Sequence, residues 1–382
     1  MLQTIAFPGH NTNSMIQTLR EDEFNCAINA LEKDKDLLIT GVPGSGRHSL
    51  IQEAALKANV KVLKIDCIKA INQEIFIKQL CQNIMHTFKN ELSLNMIEQW
   101  YTDPVKKIFE FKLDDKKRLQ IELSPTQNKL SEKEKNTSLF EAFKVVIDIP
   151  QKLAEVLKQR IVLILENFSH IRSWDRKDHK WEIYLKNTIN KQELVSYVII
   201  ATTSEINTKI KEERNNQKEL IHINISPIKK NSLITWLDKK GLSFNKEGLD
   251  LFLNTVEGHL GDANTLVRRL QAVYTFDQEI GKEQIQKTVN ELLEDMSVIF
   301  ESLLLLLPPT QVQLLECLAL NPDKSPYSRE LTNKYSLLRG GSLRNAIFGL
   351  QEKGLLYSSE EKYRVTLPLL SQWIKKRIQQ DN

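Results

Sequence analysis

The sequence predicts three architectures in succession: an α/β core with a parallel sheet and helices on both faces, an all-helical lid, and a small helical domain with a two-stranded wing. Apolar strands alternate with amphipathic helices as far as residue 226. Helical periodicity then continues without strands, and two short β-rich segments follow the last group of helices. The predicted boundaries are 1–20 for an N-terminal segment, 21–226 for the core, 227–307 for the lid and 308–382 for the last domain.

The first part of the core has the pattern helix, strand, loop, helix, strand, helix. Residues 36–40 form a short apolar run typical of a buried strand, and a helix follows at 49–57. Residues 61–67 alternate between apolar and polar types, which predicts the next strand. Phe76 to Phe88 has apolar residues at helical spacing, so we expect a helix there.

Residues 89–137 interrupt this rhythm and are predicted to be an insertion. Two alternating segments, 107–111 and 119–123, flank a charged turn at 114–117, which indicates a β-hairpin. The polar tract 124–136 is predicted to be a loop. The mixed charge of the hairpin favours a solvent-exposed element without a binding role over a contact surface for DNA or a partner.

Regular α/β order resumes with a purely apolar strand at 161–165. Further strands are predicted at 197–203 and 220–225, with a helix at 180–190 before them. The lid is predicted to contain four amphipathic helices, at 231–240, 246–257, 263–276 and 282–290.

The last domain begins after Pro308 and Pro309. Its predicted helices lie at 310–320, 328–335 and 342–353, and two short strands, 355–357 and 363–365, flank a polar turn. This order predicts a winged helix-turn-helix domain. From Pro309 onward the chain has 11 Lys/Arg and 7 Asp/Glu, so this domain carries the whole excess of +4. The bias is compatible with nucleic acid but does not establish it.

Composition excludes several other classes of protein. With 41% hydrophobic and 27% charged residues, the chain resembles a soluble globular protein rather than a disordered or fibrous one. The N-terminus has no secretory pattern, and the longest apolar run, 303–307, is too short to span a bilayer. The four cysteines lack C-x-x-C spacing, and the histidines lack metal-ligand spacing. We therefore expect a cytoplasmic protein with reduced, buried thiols, no membrane partner and no confident metal site.

The segment from Gly41 to Ser49 is the most informative motif. It follows a buried strand and has the G-x-x-x-x-G spacing of a phosphate-binding P-loop at a helix start, where backbone N–H groups bind anions. The alternative is an ordinary glycine-containing turn, but the strand, the spacing and the later strand order favour an α/β P-loop NTPase core. The predicted nucleotide-binding residues of the loop are Gly41, Pro43, Gly44, Ser45, Gly46, Arg47, His48 and Ser49.

Two positions of the loop depart from the usual motif. Arg47 stands where a lysine is usual, and His48 stands where a Ser or Thr hydroxyl usually binds Mg²⁺. Ser49 comes one residue late, about 100° further round the helix. Arg47 keeps the positive charge and suits phosphate oxygens, or it fills the phosphate pocket itself. We expect ATP or ADP as the ligand, and the departures put a role for Mg²⁺ in doubt.

The order of core, lid and winged helix resembles the AAA+/STAND class of ATPases, with archaeal-type ATPases and origin-recognition initiators as the nearest groups. The similarity is carried at the C-terminal end by YSRE (327–330), SLRNA (342–346), KGLL (353–356), YRVT (363–366) and LPLLSQWI (367–374). Leu367 replaces an aspartate that is common there. The resemblance covers nearly the whole chain except the 89–137 insertion.

The resemblance implies roles for residues outside the loop. In this class a core strand ends in a catalytic Asp-Glu pair, whose aspartate orders water around Mg²⁺ and whose glutamate polarises the attacking water. Here Glu166 and Asn167 occupy those positions. Thr202 or Thr203 would sense the γ-phosphate, and Arg268 or Arg269 would reach the phosphates from the lid segment GHLGDANTLVRR (258–269). No arginine finger is identified; the candidates, from their region alone, are Arg172, Arg176 and Arg214.

The second helix of the predicted helix-turn-helix motif has one apolar face, formed by Leu343, Ala346, Ile347 and Leu350. The opposite face carries Arg and Asn, which suit guanine and adenine edges in a major groove. The predicted DNA-binding residues are Arg339, Ser342, Arg344, Asn345, Lys362 and Arg364. Acidic residues at 352, 360 and 361 would repel the phosphate backbone and argue against DNA binding. A protein-interaction module is the alternative.

Taken together, the motifs predict a nucleotide-binding switch with impaired hydrolysis, whose winged helix binds double-stranded DNA or a protein partner. One alternative is a pseudo-ATPase adaptor that uses the fold only for protein assembly. Another is an active ATPase of DNA replication or transposition regulation, with Arg47 and Glu166 as working substitutes. We expect a monomer or small assembly rather than a ring.

Overall fold

A parallel sheet covered by helices forms the core, as predicted. The computed structural model describes residues 15–89, 99, 103–113, 119–125, 130–175, 179–201, 220–274, 278–322, 324–337, 339–359 and 362–380. Within them the strands are β1 (Asp36–Gly41), β2 (Lys61–Asp66), β3 (Phe109–Leu113), β4 (Leu119–Leu123), β5 (Ile161–Glu166), β6 (Val195–Ala201), β7 (Leu220–Ile225), β8 (Ser243–Phe244), β9 (Glu279–Ile280), β10 (Leu356–Ser359) and β11 (Lys362–Val365).

The helices alternate with these strands in the first half of the chain and dominate the second half. They are α1 (Met15–Leu19), α2 (Glu21–Glu32), α3 (Arg47–Lys57), α4 (Gln73–Thr87), α5 (Asp103–Ile108), α6 (Glu132–Leu157), α7 (Lys180–Ile189), α8 (Lys230–Lys239), α9 (Lys246–Val256), α10 (Leu260–Val273), α11 (Lys282–Asp295), α12 (Ser297–Leu305), α13 (Pro309–Leu320), α14 (Arg329–Lys334), α15 (Gly341–Glu352) and α16 (Pro368–Gln380).

The sheet has the order β2-β5-β6-β1-β7 among the described strands, and every pairing in it is parallel. All six residues of β1 and of β5 are buried. This agrees with their apolar runs, 37–39 in β1 and 161–165 in β5, because a parallel sheet is covered by helices on both faces. The carboxyl ends of β1 and β5 are followed by the loop at 42–46 and by Asn167, the two regions singled out by the sequence.

The chain forms two compact units. The sheet unit comprises Asn25–Gly41 and Ala54–Ile225. The lid unit comprises the described residues of Met1–Phe24, Val42–Glu53 and Ser226–Asn382. The loop after β1 therefore belongs with the lid and the last domain.

The secondary structure predicted within the insertion is partly confirmed and partly wrong. β3 and β4 form the predicted antiparallel hairpin, whose charged turn lies outside the described residues. The prediction of a loop up to residue 136 is wrong, because α6 begins at Glu132. Ser131 and Glu134 form a capping box there, a Ser-x-x-Glu signal that is visible in the sequence. Apolar side chains of the insertion, including Ile108, Phe109 and Ile121, join the core cluster of the sheet unit.

The four predicted lid helices are present, with ends within five residues of the prediction, but α12, inside the predicted lid bounds, was not predicted. α11 ends at Asp295 rather than Asn290. α10 begins at Leu260 rather than Ala263, because the side chain of His259 accepts a hydrogen bond from the Asp262 N–H and caps the helix. The lid also contains a two-residue parallel pairing between β8 and β9, which helical periodicity did not predict.

The last domain has the predicted helix order and wing. α13, α14 and α15 precede the antiparallel pair β10 and β11, and α12 and α16 flank them. The buried residues of α15 are the four predicted, Leu343, Ala346, Ile347 and Leu350.

Cys67, Cys81 and Cys317 are buried and free, as predicted, whereas Cys26 is free but exposed. Within the described ranges, no helix is long and apolar enough to cross a membrane.

Candidate functional site

The loop after β1 has the backbone of a strand-to-helix turn in which glycine is required. Gly44 and Gly46 have φ angles of +77° and +92°, a region that L side chains rarely adopt. The Ser45 N–H donates to the Val42 carbonyl at 3.2 Å and closes the turn, and α3 starts at Arg47. The first N–H groups of a helix have no partner within the helix and carry partial positive charge. The loop therefore ends in a helix start of the kind that suits an anion.

The side chains of the loop differ in exposure. Ser45 is 3% exposed, and its Oγ has no hydrogen-bond partner among the described residues. Arg47 is buried at 8% exposure, whereas Ser49 is exposed and His48 is half-buried. Contact of these residues with a nucleotide stays a prediction.

The start of the lid helix α10 contacts this loop directly. His259 Nε2 donates to the Pro43 carbonyl at 2.8 Å, and the Gly261 N–H donates to the Gly44 carbonyl at 3.0 Å. A Cβ placed at Gly44 would lie 2.6 Å from His259 Nε2, and one at Gly46 would lie 2.7 Å from Leu260. Both loop glycines therefore combine a positive φ with close packing against the lid.

The same lid segment is bonded to the winged helix domain. Asp262 is 7% exposed, and its Oδ2 accepts a hydrogen bond from the Leu369 N–H at the start of α16, at 2.9 Å. Its Oδ1 lies 3.2 Å from His259 Nδ1. A continuous chain of polar contacts thus runs from the Pro43 carbonyl through His259 and Asp262 to α16. We call this chain the loop–wing relay.

Two further contacts join these parts of the lid unit. A Cβ at Gly354, just before the wing, would lie 2.7 Å from the Pro43 ring. Arg364 of the wing pairs with Glu257 of the lid at 3.2 Å, with both side chains about two-fifths exposed.

His259 has a raised pKa. Burial lowers it, but the hydrogen bond and charge of Asp262 and the hydrogen bond to Pro43 outweigh burial, and the charge of Arg20 opposes them. When His259 is neutral, its Nδ1 accepts from the Asp262 N–H; when it is protonated, the Nδ1–H faces the Asp262 carboxylate. The relay is therefore stronger with charged imidazole.

We expect the stabilising effect of His259 to weaken as the pH rises. Since its folded pKa is raised, its contribution is complete below the unfolded pKa of about 6.5 and is lost as the pH rises through the folded pKa. Urea unfolding of wild type and H259Q across this range should give a free-energy difference that shrinks with rising pH. His222 in β7 is the control, because burial lowers its pKa and H222Q should give the opposite slope. Equal slopes would contradict the assignment.

Arg268 and Arg269 lie further along α10. Arg268 is exposed, and Arg269 pairs with Glu291 and Asp295 at 3.5 and 3.2 Å. The lid residues that the structure brings to the loop are His259, Leu260 and Gly261. A phosphate contact by Arg268 stays a prediction.

Arg20 was not singled out by the sequence. It is 2% exposed, and its Nη1 donates to the Ser226 carbonyl at 2.8 Å. Its Nε and Nη2 have no hydrogen-bond partner in the described part of the chain, and burial lowers its pKa. The charge of Arg20 also acts on His259, so this buried cation lies near the loop end of the relay. Two of its nitrogens, Nε and Nη2, remain available as hydrogen-bond donors.

In the sheet unit, Glu166 ends β5 and Asn167 follows it. Glu166 is 6% exposed, and its Oε1 lies 2.7 Å from Lys64 Nζ on β2. Asn167 has a φ of +53°, and its side-chain amide donates to Asp66 Oδ1 at 3.3 Å. An ammonium group thus neutralises the carboxylate that the resemblance assigns to the metal.

The other residues implied by the resemblance are only partly described. Thr202, Thr203, Arg176 and Arg214 lie outside the described residues. Arg172 forms a bidentate pair with Glu182 at 2.8 and 2.6 Å, so this candidate finger has a structural partner inside its own unit.

The residues present do not fit the magnesium site of the class. Its hydroxyl ligand is replaced by His48, and its carboxylate position, Glu166, is paired with Lys64. Among the side chains described, no three His, Cys, Asp or Glu residues converge as metal ligands.

The predicted DNA-binding residues fall into two groups. Ser342, Arg344 and Asn345 are exposed on one face of α15, and Arg339 and Lys362 are also exposed. Arg364 instead faces Glu257, so it is held by the lid.

Comparisons with known proteins agree with this architecture. Residues 298–376 match the model of a family described as a probable winged helix domain. The Walker-type ATPase PABY2304 of Pyrococcus abyssi superposes with a TM-score of 0.61 at 15% identity, covering 94% of this chain and 97% of that one. No curated protein is significantly similar in sequence.

Two origin-recognition structures from Aeropyrum pernix are also similar. The ORC2 protein in ADPNP-ADP complexes has a TM-score of 0.46 at 12% identity, covering 99% of this chain and 97% of that one. The ORC1 protein in complex with DNA has a TM-score of 0.45 at 13% identity, covering 94% and 92%. Since both scores are below 0.5, the fold assignment rests on the first structure. The chain has the fold of a Walker-type ATPase with a C-terminal winged helix domain, which confirms the fold that the sequence predicted.

Proposed function

We propose that this chain, with the fold of a Walker-type ATPase and a winged helix, is a nucleotide-binding switch. ATP or ADP binds on the loop Gly41–Ser49, is hydrolysed poorly if at all, and changes how the winged helix engages double-stranded DNA or a protein partner. The observation that carries the proposal is the loop–wing relay. It connects the loop to the winged helix domain through buried polar groups, which respond to changes in local charge.

The chemistry of the loop supports nucleotide binding. The start of α3 offers backbone N–H groups, and Ser45 offers a buried hydroxyl without a partner in the described residues. Arg20 offers its buried Nε and Nη2, which also have no hydrogen-bond partner there. Arg47 adds a guanidinium, which is suited to phosphate oxygens. All of these residues belong to the lid unit, together with the relay.

The substitutions at four positions argue against efficient hydrolysis. Arg47 and His48 replace a lysine and a hydroxyl residue, and Glu166 and Asn167 replace an aspartate and a glutamate. An asparagine orients water but does not take its proton, and Asn167 is already bonded to Asp66. A site that binds but barely hydrolyses acts as a sensor, because its ligand shifts an equilibrium only by its different affinity for the two states.

A pseudo-ATPase adaptor is the second candidate, and the surface of α12 favours it. Val298, Ile299 and Leu305 on this short helix, and Leu306 directly after it, are each at least 63% exposed. Contiguous exposed apolar side chains often mark protein contacts. An active ATPase of DNA replication or transposition regulation would require Arg47 and Glu166 to do the work of the usual residues.

Equilibrium binding of labelled ATP and ADP tests the nucleotide part, and the affinity for labelled duplex DNA with and without nucleotide tests the switch. The switch requires a change in DNA affinity at saturating nucleotide, and H259A should reduce that change. If the affinity for DNA is the same with and without nucleotide, the chain is not a nucleotide-dependent switch for DNA binding. Absence of nucleotide binding at about 1 mM would leave the adaptor, since binding that weak is worth only about 4 kcal/mol.

If the winged helix binds DNA through α15, we expect Arg344→Ala to weaken binding about 5- to 150-fold. This corresponds to the roughly 1–3 kcal/mol of one arginine–base contact. Lys324→Ala is the matched control, because Lys324 is an exposed cation of the same domain that lies outside α15 and pairs with Glu330. Fluorescence anisotropy at several salt concentrations measures both variants. Equal losses would mean that the exposed face of α15 does not read the DNA.

A further inference from the structure

The pair of Lys64 and Glu166 is a feature that the proposed switch does not use. In the parallel register, Asp66 lies opposite Glu166, and Lys64 is two residues earlier on β2. Because strand side chains alternate, Lys64 and Asp66 share one face of the sheet with Glu166. The Lys64 side chain extends along this face and places Nζ 2.7 Å from Glu166 Oε1.

The environment of Glu166 requires a positive partner. Its side chain is 7% exposed, and a buried carboxylate is strongly destabilised unless a cation or hydrogen-bond donors compensate it. In the ATPase class that the chain resembles, a divalent ion supplies this charge at the corresponding position. Here an ammonium group already lies at hydrogen-bond distance. A divalent ion at the same oxygen would be repelled by it, and Mg²⁺ also tolerates little departure from octahedral oxygen coordination.

We propose that Lys64 takes the place of the divalent cation beside Glu166. The carboxylate is neutralised within the sheet unit and does not recruit Mg²⁺. If the chain binds nucleotide, as proposed above, its affinity is the same with Mg²⁺ and with EDTA. The first statement concerns only Lys64 and Glu166, and the second rests on the proposed function.

The test is a titration of the protein with Mn²⁺, followed by electron paramagnetic resonance. Wild type is expected to bind no Mn²⁺ through Glu166. Lys64→Met is expected to gain a Mn²⁺ site at Glu166 and so to bind Mn²⁺ at least about tenfold more tightly than wild type, because the competing like charge has been removed. The double variant K64M/E166Q should lose that site. Lys61→Met is the control, since Lys61 lies on the same strand with opposite parity and should behave as wild type.

Two results would overturn the proposal. One is wild-type Mn²⁺ binding that E166Q abolishes, which needs no variant at Lys64 and therefore does not depend on the folding of K64M. The other is a folded K64M, checked by circular dichroism, that gains no site.

Nucleotide titrations separate this inference from the proposed function. Equal affinity in Mg²⁺ and in EDTA supports it. An affinity that Mg²⁺ raises tenfold or more, with the gain lost in E166Q, overturns it and leaves the nucleotide switch standing. Absence of any nucleotide binding removes the switch, and the Mn²⁺ titration still decides the role of Lys64.

Discussion

Gly44→Ala is expected to lower the free energy of unfolding by about 2–5 kcal/mol and to abolish nucleotide binding. Two costs combine at this position. The residue has a φ of +77°, where an L side chain is strained by about 1–2 kcal/mol. The new Cβ would also lie 2.6 Å from His259 Nε2, and overpacking typically costs about 1–3 kcal/mol. The loop must shift away from His259, which breaks the relay at its first contact.

Gly340→Ala is the matched control for this prediction. Gly340 also has a positive φ, +62° with ψ −133°, which only glycine adopts readily, but nothing lies within 4 Å of an added Cβ. The variant should lose stability only through backbone strain, about 1–3 kcal/mol, and its nucleotide affinity should not change. Urea unfolding and nucleotide binding measure both variants. If Gly340→Ala lowers nucleotide affinity as much as Gly44→Ala does, the contact between His259 and the loop is not the cause of the loss.

Asp262→Ala is expected to cost about 2–4 kcal/mol of stability and to make the winged helix insensitive to nucleotide. The change leaves the Leu369 N–H without its acceptor, and an unpaired buried donor costs about 1–3 kcal/mol. It also removes the carboxylate that favours charged His259, so the raised pKa of His259 should fall. Denaturant unfolding gives the energetic cost, and DNA or partner affinity with and without nucleotide gives the coupling.

Glu257→Ala is the control for Asp262→Ala, since it also removes a contact between the lid and the winged helix domain. The pair that it breaks, Glu257 with Arg364, is partly exposed, and such pairs contribute about 0–1 kcal/mol. We expect nearly unchanged stability and unchanged coupling. If Glu257→Ala uncouples the two parts and Asp262→Ala does not, communication runs through the wing surface and the relay is only structural.

These two pairs of variants distinguish a transmitting contact from simple proximity. A chain of hydrogen bonds is not by itself evidence of coupling, because many buried polar groups serve stability alone. Coupling requires that removal of a relay residue changes the effect of one ligand on the other. The loss of stability and the loss of nucleotide response must therefore be measured on the same variants.

Most of the fold could be predicted because its signals are local. Apolar runs identified β1 and β5, and a 3.6-residue period identified the buried face of α15 down to its four residues. The error at the start of α6 was also local, since the capping box of Ser131 and Glu134 was present in a tract judged only by its polarity. The sequence did not predict that side chains of the 89–137 insertion join the core, because only the packed structure shows which surface a hairpin covers.

The candidate site divides in the same way. Glycine spacing identified the loop, since φ angles such as that of Gly46 are accessible to few other residues. Lys64 was visible only as a charged residue in an alternating strand. Its partner depends on the register of β2 against β5, which no pattern within either strand specifies.

By itself, the sequence determined the order of three architectures, the bend of the loop and the outward face of α15, because backbone geometry and periodicity depend on neighbouring residues. Only the tertiary structure decided that His259 meets the loop, 216 positions away from Pro43, and that Asp262 holds α16 across 107 positions. Buried polar groups must find partners when the chain folds, and the choice of partner depends on which elements are brought together. The loop could therefore be predicted from the sequence, whereas its connection to the winged helix domain could not.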